Sequence, residues 1–487
     1  MTETLPRTSP RPAEMTLDDL VDDLVARVAT GRWEALPASA RAATRSLTLD
    51  ALGVAAAAPA APSMRATMKA QARAAGVVDA AECGIHVPFG AVCAGAAQAA
   101  SALSVAVHAW DFDDTHDDAV VHSACVALPA ALAVAQECGA GGRALLEGVV
   151  AGAEVLCRLG LALGDQPGVV RTVGLGSLAA AAAASRVLGL DHGTTACALA
   201  LALPMALAPG TRQVVVDSAP NKRHQPSYAV HAGVMSAYLA AEGVTGPRGW
   251  WSGEHGLARR VRDVGAARRH LTRDGWEIER ISLKPIPACR YAHAAVAGVL
   301  ELSGGVPAPD ARVHVQLPEG AAHRMVSRPY RRRGVSIVDA QFSLPWLVAA
   351  VLVRGGVGLA EMTGEVLSDG EIERVARDQV TVAQDQDAGD RVMTPVLVHL
   401  EDAGAVSTTR VDALPGSPER PLTPDEHGAK LRGCLAVTGR SEAEVGVTLD
   451  RLEALTADLP QLDAAALTDR LRALGDGRLG PSNLGGT

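Results

Sequence analysis

Alanine-rich segments with helical spacing are the feature that most constrains the fold of this chain. Alanine, leucine and valine recur at intervals of three and four residues through most of the first 280 positions, and aromatic residues make up only 3% of the 487 residues. Small side chains let neighbouring helices approach closely, so these segments predict a tightly packed helical bundle. A capping box at Thr16 and Asp19 begins the first helix. The later helices are predicted at about residues 39–57, 89–107, 126–137, 142–163, 175–188, 192–207 and 226–242.

The hydrophobic period changes from helical to alternating after Lys284, which predicts β-strands. The strands are predicted at about residues 313–317, 380–382, 396–400 and 406–411. A turn at 401–404 joins the last two, so we expect a β-hairpin there. Helical spacing returns after Thr423, where an N-cap threonine, a first-turn proline and a capping glutamate stand together.

The order of these segments predicts a mainly α fold in which an α+β lid domain is inserted into a large all-helical domain. A chain of 487 residues is too long for one ordinary core and long enough for two. The predicted parts, in chain order, are a disordered tail at 1–14, the helical domain at 15–283, the lid domain at 284–415, C-terminal helices that return to the helical domain at 416–475, and a second disordered tail at 476–487.

Charge and cysteine usage narrow the class of protein. The net charge is −9 and the arginines are scattered, so the chain has no basic footprint for nucleic acid. The low-charge stretches 173–188 and 196–208 are shorter than a bilayer span, which predicts core helices and no membrane contact. Eight cysteines stand singly without a CxxC motif, and the first residues lack an apolar signal region, so we expect a cytoplasmic protein.

The densest polar segment runs from His108 to Asp118 between two apolar helical stretches, and His122 follows it. Carboxylates between buried helices are costly unless they have a use. A solvated loop with helix-capping aspartates is the structural alternative. A calcium loop would need the central glycine and distal glutamate of an EF-hand, which are missing. A phosphatase of the haloacid dehalogenase type matches the DxDxT pattern at 111–115, but that motif should follow a strand rather than a helix.

Acid/base chemistry on a polycarboxylate is the remaining functional hypothesis. Removing a proton α to a carboxylate, and expelling a β-hydroxyl or CO₂, needs a base, an acid and cations that hold the negative charge of the substrate. Asp111, His122 and Lys222 have side chains that suit these roles.

Six sequence motifs follow one another along almost the whole chain. They are HAWDFDDTH at 108–116 with His122 and 126–133, the glycine turn at 174–176 with 179–182 and 188–191, the lysine segment at 222–247, KPxxxCRxxH at 284–293, FSLP at 342–345, and the stretch 416–430. In this order the motifs resemble those of the MmgE/PrpD family, which includes 2-methylcitrate dehydratase and cis-aconitate decarboxylase.

The resemblance implies a helical domain with an α+β lid, a homodimer, no metal or organic cofactor, and an active site between the two domains. It also implies a metal-independent lyase that dehydrates or decarboxylates a small (poly)carboxylic acid. The residues that it marks as catalytic are Asp111, His122 and Lys222. Those that it marks as substrate-binding are Thr115, Lys284, Cys289, Arg290, His293 and Trp346. Each of these residues also has a purely structural interpretation, since a lysine is often a surface charge and a cysteine is often a small buried hydrophobic residue.

The chain departs from the family pattern at several of these positions. Val170 and Gln225 stand where members commonly carry histidines, Ser227 replaces a glycine, and Ala297 replaces an aspartate. Trp346 replaces the lid tyrosine and loses its hydroxyl proton donor. These replacements make the pocket more apolar, which leaves two alternatives open. One is an epimerase that acts at an acidic α-carbon and is similar to iminodisuccinate epimerase. The other is a family member recruited to a secondary pathway. A non-catalytic metabolite-binding member is the alternative from another class.

Overall fold

The computed structural model of this chain is mainly helical and has a smaller α+β region, which confirms the predicted fold class. The structure describes residues 15–62, 64–75, 85–89, 92–93, 95–304, 310–331, 337–385 and 393–474. The tails predicted at 1–14 and 476–487 lie outside the described residues. No described helix combines the length and the apolar character needed to cross a bilayer.

The N-terminal part of the chain forms a helical bundle around α7. Its helices are α1 (Leu17–Thr30), α2 (Ala38–Ala56), α3 (Met64–Ala75), α4 (Ala96–His108), α5 (Ala124–Glu137), α6 (Gly142–Leu163), α7 (Arg171–Leu188), α8 (His192–Ala202), α9 (Gln213–Val216), α10 (Gln225–Ala241) and α11 (Val264–Leu271). The alanines at 179–184 of α7 have no exposed surface. A Cβ at Gly233 would lie 2.4 Å from the Ser177 carbonyl oxygen, so α10 approaches α7 as closely as the small residues predict.

The predicted helices are present, and the largest boundary errors are at the start of α4 and the end of α8. The capping box at Thr16 and Asp19 is formed, and α6 has the predicted bounds. Helix α4 begins at Ala96 rather than near residue 89, because β2 (Val92–Cys93) pairs with β1 (Ile85–His86) just before it. Helix α8 ends at Ala202 rather than at residue 207, because Pro204 follows and cannot continue an α-helix.

The C-terminal half contains the α+β region, which consists of the elements from α12 to β8. Its helices are α12 (His293–Ser303), α13 (Ala321–Val326), α14 (Ile337–Gln341), α15 (Leu344–Arg354), α16 (Gly364–Leu367) and α17 (Gly370–Asp378). Its strands are β5 (Arg312–Pro318), β6 (Val380–Asp385), β7 (Val396–Asp402) and β8 (Ala405–Val411). Strands β3 (Thr115–His116) and β4 (Ile281–Ser282) precede this region and pair with each other.

Strands β5 to β8 form one sheet in the order β6-β5-β7-β8, which confirms the predicted strands. Strand β5 is parallel to β6 and antiparallel to β7. The hairpin of β7 and β8 closes with Asp402 paired to Ala405. Between them Ala403 and Gly404 have φ values of 49° and 80°, as two-residue hairpin turns that match the strand twist require.

The chain returns to the helical bundle after the α+β region. Helices α18 (Pro424–Ala436), α19 (Glu442–Asp458) and α20 (Ala464–Arg472) contribute leucines to the hydrophobic core of the helical bundle. The α+β region has a second hydrophobic core. The Leu283 N–H donates to the Gly416 carbonyl oxygen at 2.9 Å, so the two ends of the inserted region meet. Gly416 has a φ of 80°, and a Cβ there would lie 1.8 Å from the Leu283 carbonyl oxygen. The domain boundaries at 284 and 415 stay predictions.

Candidate active site

The polar segment after α4 is a buried loop, so the alternative of a solvated loop is wrong. Asp111, Asp113, Asp114 and Thr115 are each at most 1% exposed. Asp114 does cap α5, because its carboxylate accepts hydrogen bonds from the Ser123 N–H and hydroxyl at 2.9 and 2.7 Å. Helix α4 precedes the DxDxT pattern, which contradicts the strand that a haloacid dehalogenase nucleophile requires.

Long-range contacts hold this segment against the chain that leads to Lys284. Strand β3 pairs with β4, which ends two residues before Lys284. His116 Nε2 lies 2.9 Å from Glu277 Oε2, and both side chains are buried. From α18, the Lys430 ammonium donates to the Phe112 carbonyl oxygen at 3.0 Å. The loop is therefore held both by the segment that leads to Lys284 and by helix α18.

Asp111 lies among three buried cations. Its Oδ1 is 3.0 Å from Lys284 Nζ, and its Oδ2 is 3.2 Å from Lys222 Nζ and 3.5 Å from Arg223 Nη1. Lys284 also donates to the Asp111 carbonyl oxygen at 2.8 Å. Burial alone would raise the pKa of the Asp111 carboxyl, but Lys222, Lys284 and Arg223 hold that pKa well below its usual range. The carboxylate is ionised and cannot neutralise all three cations.

Arg223 keeps hydrogen-bonding capacity in this cluster. Its side chain is only 5% exposed, and Nη2 donates to Gln341 Oε1 from α14. Its Nε and Nη1 atoms are buried without a hydrogen-bond partner among the described residues. A buried donor that stays unpaired costs about 1–3 kcal/mol, so an anion that accepted from Arg223 would relieve this cost. The cluster is suited to bind a carboxylate.

His122 stands beside the cluster as a neutral base. Its Nδ1 lies 2.6 Å from the Asp114 carbonyl oxygen, which can only accept, so Nδ1 carries the proton and Nε2 keeps a lone pair. Thr115 Oγ1 is 3.3 Å from the same Nδ1. Burial and the Lys284 ammonium lower the pKa of His122 to about 3. Because the side chain is partly exposed, Nε2 can accept a proton from a bound molecule.

Comparison with known proteins identifies the fold that carries this site. The MmgE/PrpD N-terminal domain matches residues 22–267, and the MmgE/PrpD C-terminal domain matches residues 286–452. The chain belongs to the MmgE/PrpD family. The cis-aconitate decarboxylase-like protein oryM of Aspergillus oryzae is 26% identical over 418 residues, which cover 78% of this chain and 83% of that protein. The family predicted from the motifs is confirmed, and it supports an enzyme of the dehydratase or decarboxylase kind.

This member of the MmgE/PrpD family has few lysines, and three of them are buried near the site. Lys69, Lys222, Lys284 and Lys430 are the four lysines among 45 lysine and arginine residues. Lys69 is exposed, whereas the other three are buried beside the polar segment. Arginine stays charged at every pH that a protein tolerates, but a buried lysine can release its proton. Two of the four lysines, Lys222 and Lys284, contact Asp111.

Three of the predicted substrate-binding residues, Cys289, Arg290 and His293, lie on the segment that follows Lys284. Arg290 donates to Asp117 through Nε and Nη2, both at 2.9 Å, and to the Pro415 carbonyl oxygen at 2.7 Å. His293 Nε2 is 3.2 Å from the Ala288 carbonyl oxygen. Burial raises the pKa of Cys289 to about 11, so it is a neutral thiol. Arg290 and His293 thus anchor this segment, whereas the Cys289 thiol also feels the Asp111 charge, which raises its pKa.

Trp346 and Val170, two of the departures from the family pattern, lie in different surroundings. Trp346 is fully buried in the second core, and its ring lies 5.7 Å from that of Tyr330. Val170 is the N-cap of α7, two residues before Thr172, whose hydroxyl accepts from the His122 N–H at 3.0 Å. The position of a family imidazole therefore borders the site, and an apolar side chain occupies it.

The structure adds two residues that the sequence analysis did not single out. Arg223 follows Lys222 directly, and His108 ends α4 at the start of the polar segment. His108 Nδ1 is 2.8 Å from Asp113 Oδ2, and its Nε2 is 3.1 Å from Lys222 Nζ. Both residues lie inside the quoted motifs, at 108–116 and 222–247, and that position was their only sequence signal.

Proposed function

We propose that the protein is a metal-independent lyase that dehydrates or decarboxylates a small (poly)carboxylic acid. The observation that supports this most is the neutral His122, with a free Nε2, beside Lys222, Arg223 and Lys284 around a single aspartate. Cations of this kind hold the carboxylates of a substrate and stabilise the negative charge that develops when an α-carbon loses a proton or CO₂.

The two reactions share the acid and the carboxylate-binding cations, and only dehydration also needs the base. In dehydration, His122 Nε2 takes the α-proton, the carbon–oxygen bond breaks, and the leaving hydroxide takes a proton from the Lys222 ammonium. In decarboxylation, the bond to CO₂ breaks and its electron pair stays on the substrate carbon, which then takes a proton from the same ammonium. In both, Lys284 and Arg223 bind carboxylate oxygens.

Metal independence has support in the chemistry of one cluster. Among the described residues, His108, Asp113 and Cys125 bring possible metal-ligating atoms within 4.8 Å of one another. Both ring nitrogens of His108 already face protein groups, Asp113 and the Lys222 ammonium. Burial raises the pKa of the Cys125 thiol well above its usual value, which disfavours a thiolate ligand. The cluster suits hydrogen bonding better than metal binding.

An NMR assay in D₂O tests this function. The purified protein is incubated with 2-methylcitrate, citrate, cis-aconitate or iminodisuccinate, with and without EDTA. We expect loss of water or of CO₂ from one of these acids, unchanged by EDTA and abolished in Lys222→Ala. Deuterium exchange at an α-carbon without elimination would favour the epimerase instead. Activity that EDTA removes, or no turnover of any acid, would contradict the proposal.

We also propose a homodimer in the cytoplasm, and an exposed apolar stripe on α10 supports the dimer. Tyr228, Met235 and Leu239 follow one another at helical spacing and are 61%, 40% and 41% exposed. The double substitution Met235→Glu with Leu239→Glu is expected to convert the dimer to a monomer in light scattering after size-exclusion chromatography. Val406→Glu on β8, where the valine is 68% exposed, serves as the control. A monomeric wild-type protein would contradict this part.

A further inference from the structure

We propose that His108 and Asp113 form a dyad that holds Lys222 as an ammonium ion, so that Lys222 acts as the acid of the reaction and His122 as the base. The inference rests on the proposed function, because it divides the roles at that same site. In this arrangement His108 is a positioning residue, since it acts on the substrate only through Lys222.

The hydrogen bonds fix the proton of His108 on one nitrogen. Asp113 and His108 are 0% and 3% exposed, and 2.8 Å separates Asp113 Oδ2 from His108 Nδ1. His108 keeps the pKa of the Asp113 carboxyl far below its usual value although burial opposes this, so the carboxylate only accepts. The proton must therefore be on Nδ1, and Nε2 presents its lone pair to Lys222 Nζ at 3.1 Å.

Lys222 meets acceptors in two directions. His108 Nε2 lies within hydrogen-bonding distance of Nζ at 3.1 Å, and Asp111 Oδ2 forms an ion pair with Nζ at 3.2 Å. The Phe342 ring centroid is 5.4 Å from Nζ, and an N–H that is not donated to His108 is available to a substrate. A neutral amine could also donate to His108, but only the ammonium gains from the charge of the Asp111 carboxylate and is the stronger donor to the lone pair that the dyad presents. The dyad thus favours the protonated form.

The other groups around Lys222 make this ammonium acidic. The titratable or charged side chains that act on it are His108, Asp111, Asp113, Cys125, Arg223, Lys284 and Cys289. Burial lowers the pKa of Lys222, Asp111 opposes this, and Arg223 and Lys284 lower it further. The Lys222 ammonium consequently gives up a proton more readily than that of a surface lysine.

The two histidines of the site differ in what their second nitrogen does. The ring centroids of His108 and His122 are 5.2 Å apart. His108 uses both nitrogens within the protein, so it has no lone pair for a substrate. When Lys222 gives its proton to the leaving hydroxide or to the substrate carbanion, His108 cannot replace it, because Asp113 holds the one proton of that ring. Lys222 regains its proton from solvent as the product leaves.

The scarcity of lysine makes this inference directly measurable. With ¹³Cε-labelled lysine, the four lysines give four signals, and Lys222→Arg identifies the signal of Lys222. Titration of that signal needs no substrate. We expect His108→Leu to lower the pKa of Lys222 by about one unit or more, and to move the alkaline limb of the kcat profile by the same amount. His108→Gln should restore most of both, since its amide can accept from Lys222 and donate to Asp113.

The controls separate this inference from the proposed function. Replacing the exposed His255 by leucine should move neither the signal nor the pH profile. If His108→Leu does not fold, Asp113→Asn is expected to shift the pKa of Lys222 in the same direction, because it removes the charge that fixes the ring tautomer. An unshifted Lys222 signal in the folded variants would overturn the dyad, whatever the activity. A shifted signal in a protein that turns over no acid would uphold the dyad and refute the lyase.

Discussion

Replacing His122 by asparagine is expected to lower kcat/KM by a factor of about 100 to 10,000, the range that a positioned general base contributes. The asparagine amide can take over the donor that His122 Nδ1 directs to the Asp114 carbonyl oxygen at 2.6 Å. It cannot supply the lone pair of Nε2. The substitution therefore removes the base while it keeps the hydrogen bond that holds the polar segment, and the loss should appear in kcat rather than in KM.

The pH dependence of the wild-type protein gives an independent check on His122. Since its pKa is lowered to about 3, the base is already neutral throughout the range from pH 5 to 8, and activity should not fall there from this group. In the unfolded chain the histidine is protonated below its ordinary value of 6.5. The free energy of unfolding that His122 contributes is thus present above pH 6.5 and is lost as the pH falls towards 3.

His255→Asn provides the matched control, because that histidine is exposed and far along the chain from the polar segment. Its kcat/KM should equal that of the wild type, and circular dichroism should show the same helical content in both variants. Full activity in His122→Asn would show that another group removes the proton. An acid limb of kcat with a midpoint near 6.5 would show that His122 is not held in its neutral form.

The fold could be predicted well where local sequence decides the structure. Helix α6 has the predicted bounds because glycine at each end and leucine or valine on one face are local signals. The start of α4 could not be predicted in this way. It depends on β1 and β2, two-residue strands whose pairing is too short to leave a periodic pattern. Pairing between distant residues decides such boundaries.

The site could be predicted only in part, for a related reason. Asp111, Lys222 and Lys284 were singled out from motifs, and the structure brings them together. Arg290 looked equally suited to bind a substrate carboxylate, but Asp117, 173 residues away, takes its guanidinium. Arg223 was overlooked because nothing in one sequence distinguishes it from the other arginines. The number of donors left unpaired after folding is a property of the structure alone.

Asp111→Asn is expected to lower the free energy of unfolding by about 3–5 kcal/mol, the cost of removing one partner from a buried ion pair. The asparagine occupies the same volume, so the loss reports charge rather than packing. Lys222, Arg223 and Lys284 would remain at most 6% exposed without their carboxylate. Urea denaturation measures the change, and Asp458→Asn is the control, because that aspartate pairs with Arg470 on the surface.

The pH and anion dependence of Asp111→Asn decide between charge and other causes. The pKa of Asp111 lies well below its usual value of 3.8, so the stability that it provides is complete above pH 3.8 and is lost at lower pH. The difference between wild type and variant should shrink accordingly in acid. Formate or malonate should raise the urea midpoint of the variant more than that of the wild type, since a free carboxylate can then occupy the cation cluster. A variant as stable as the wild type, and indifferent to these anions, would mean that the lysines of the site are uncharged at rest.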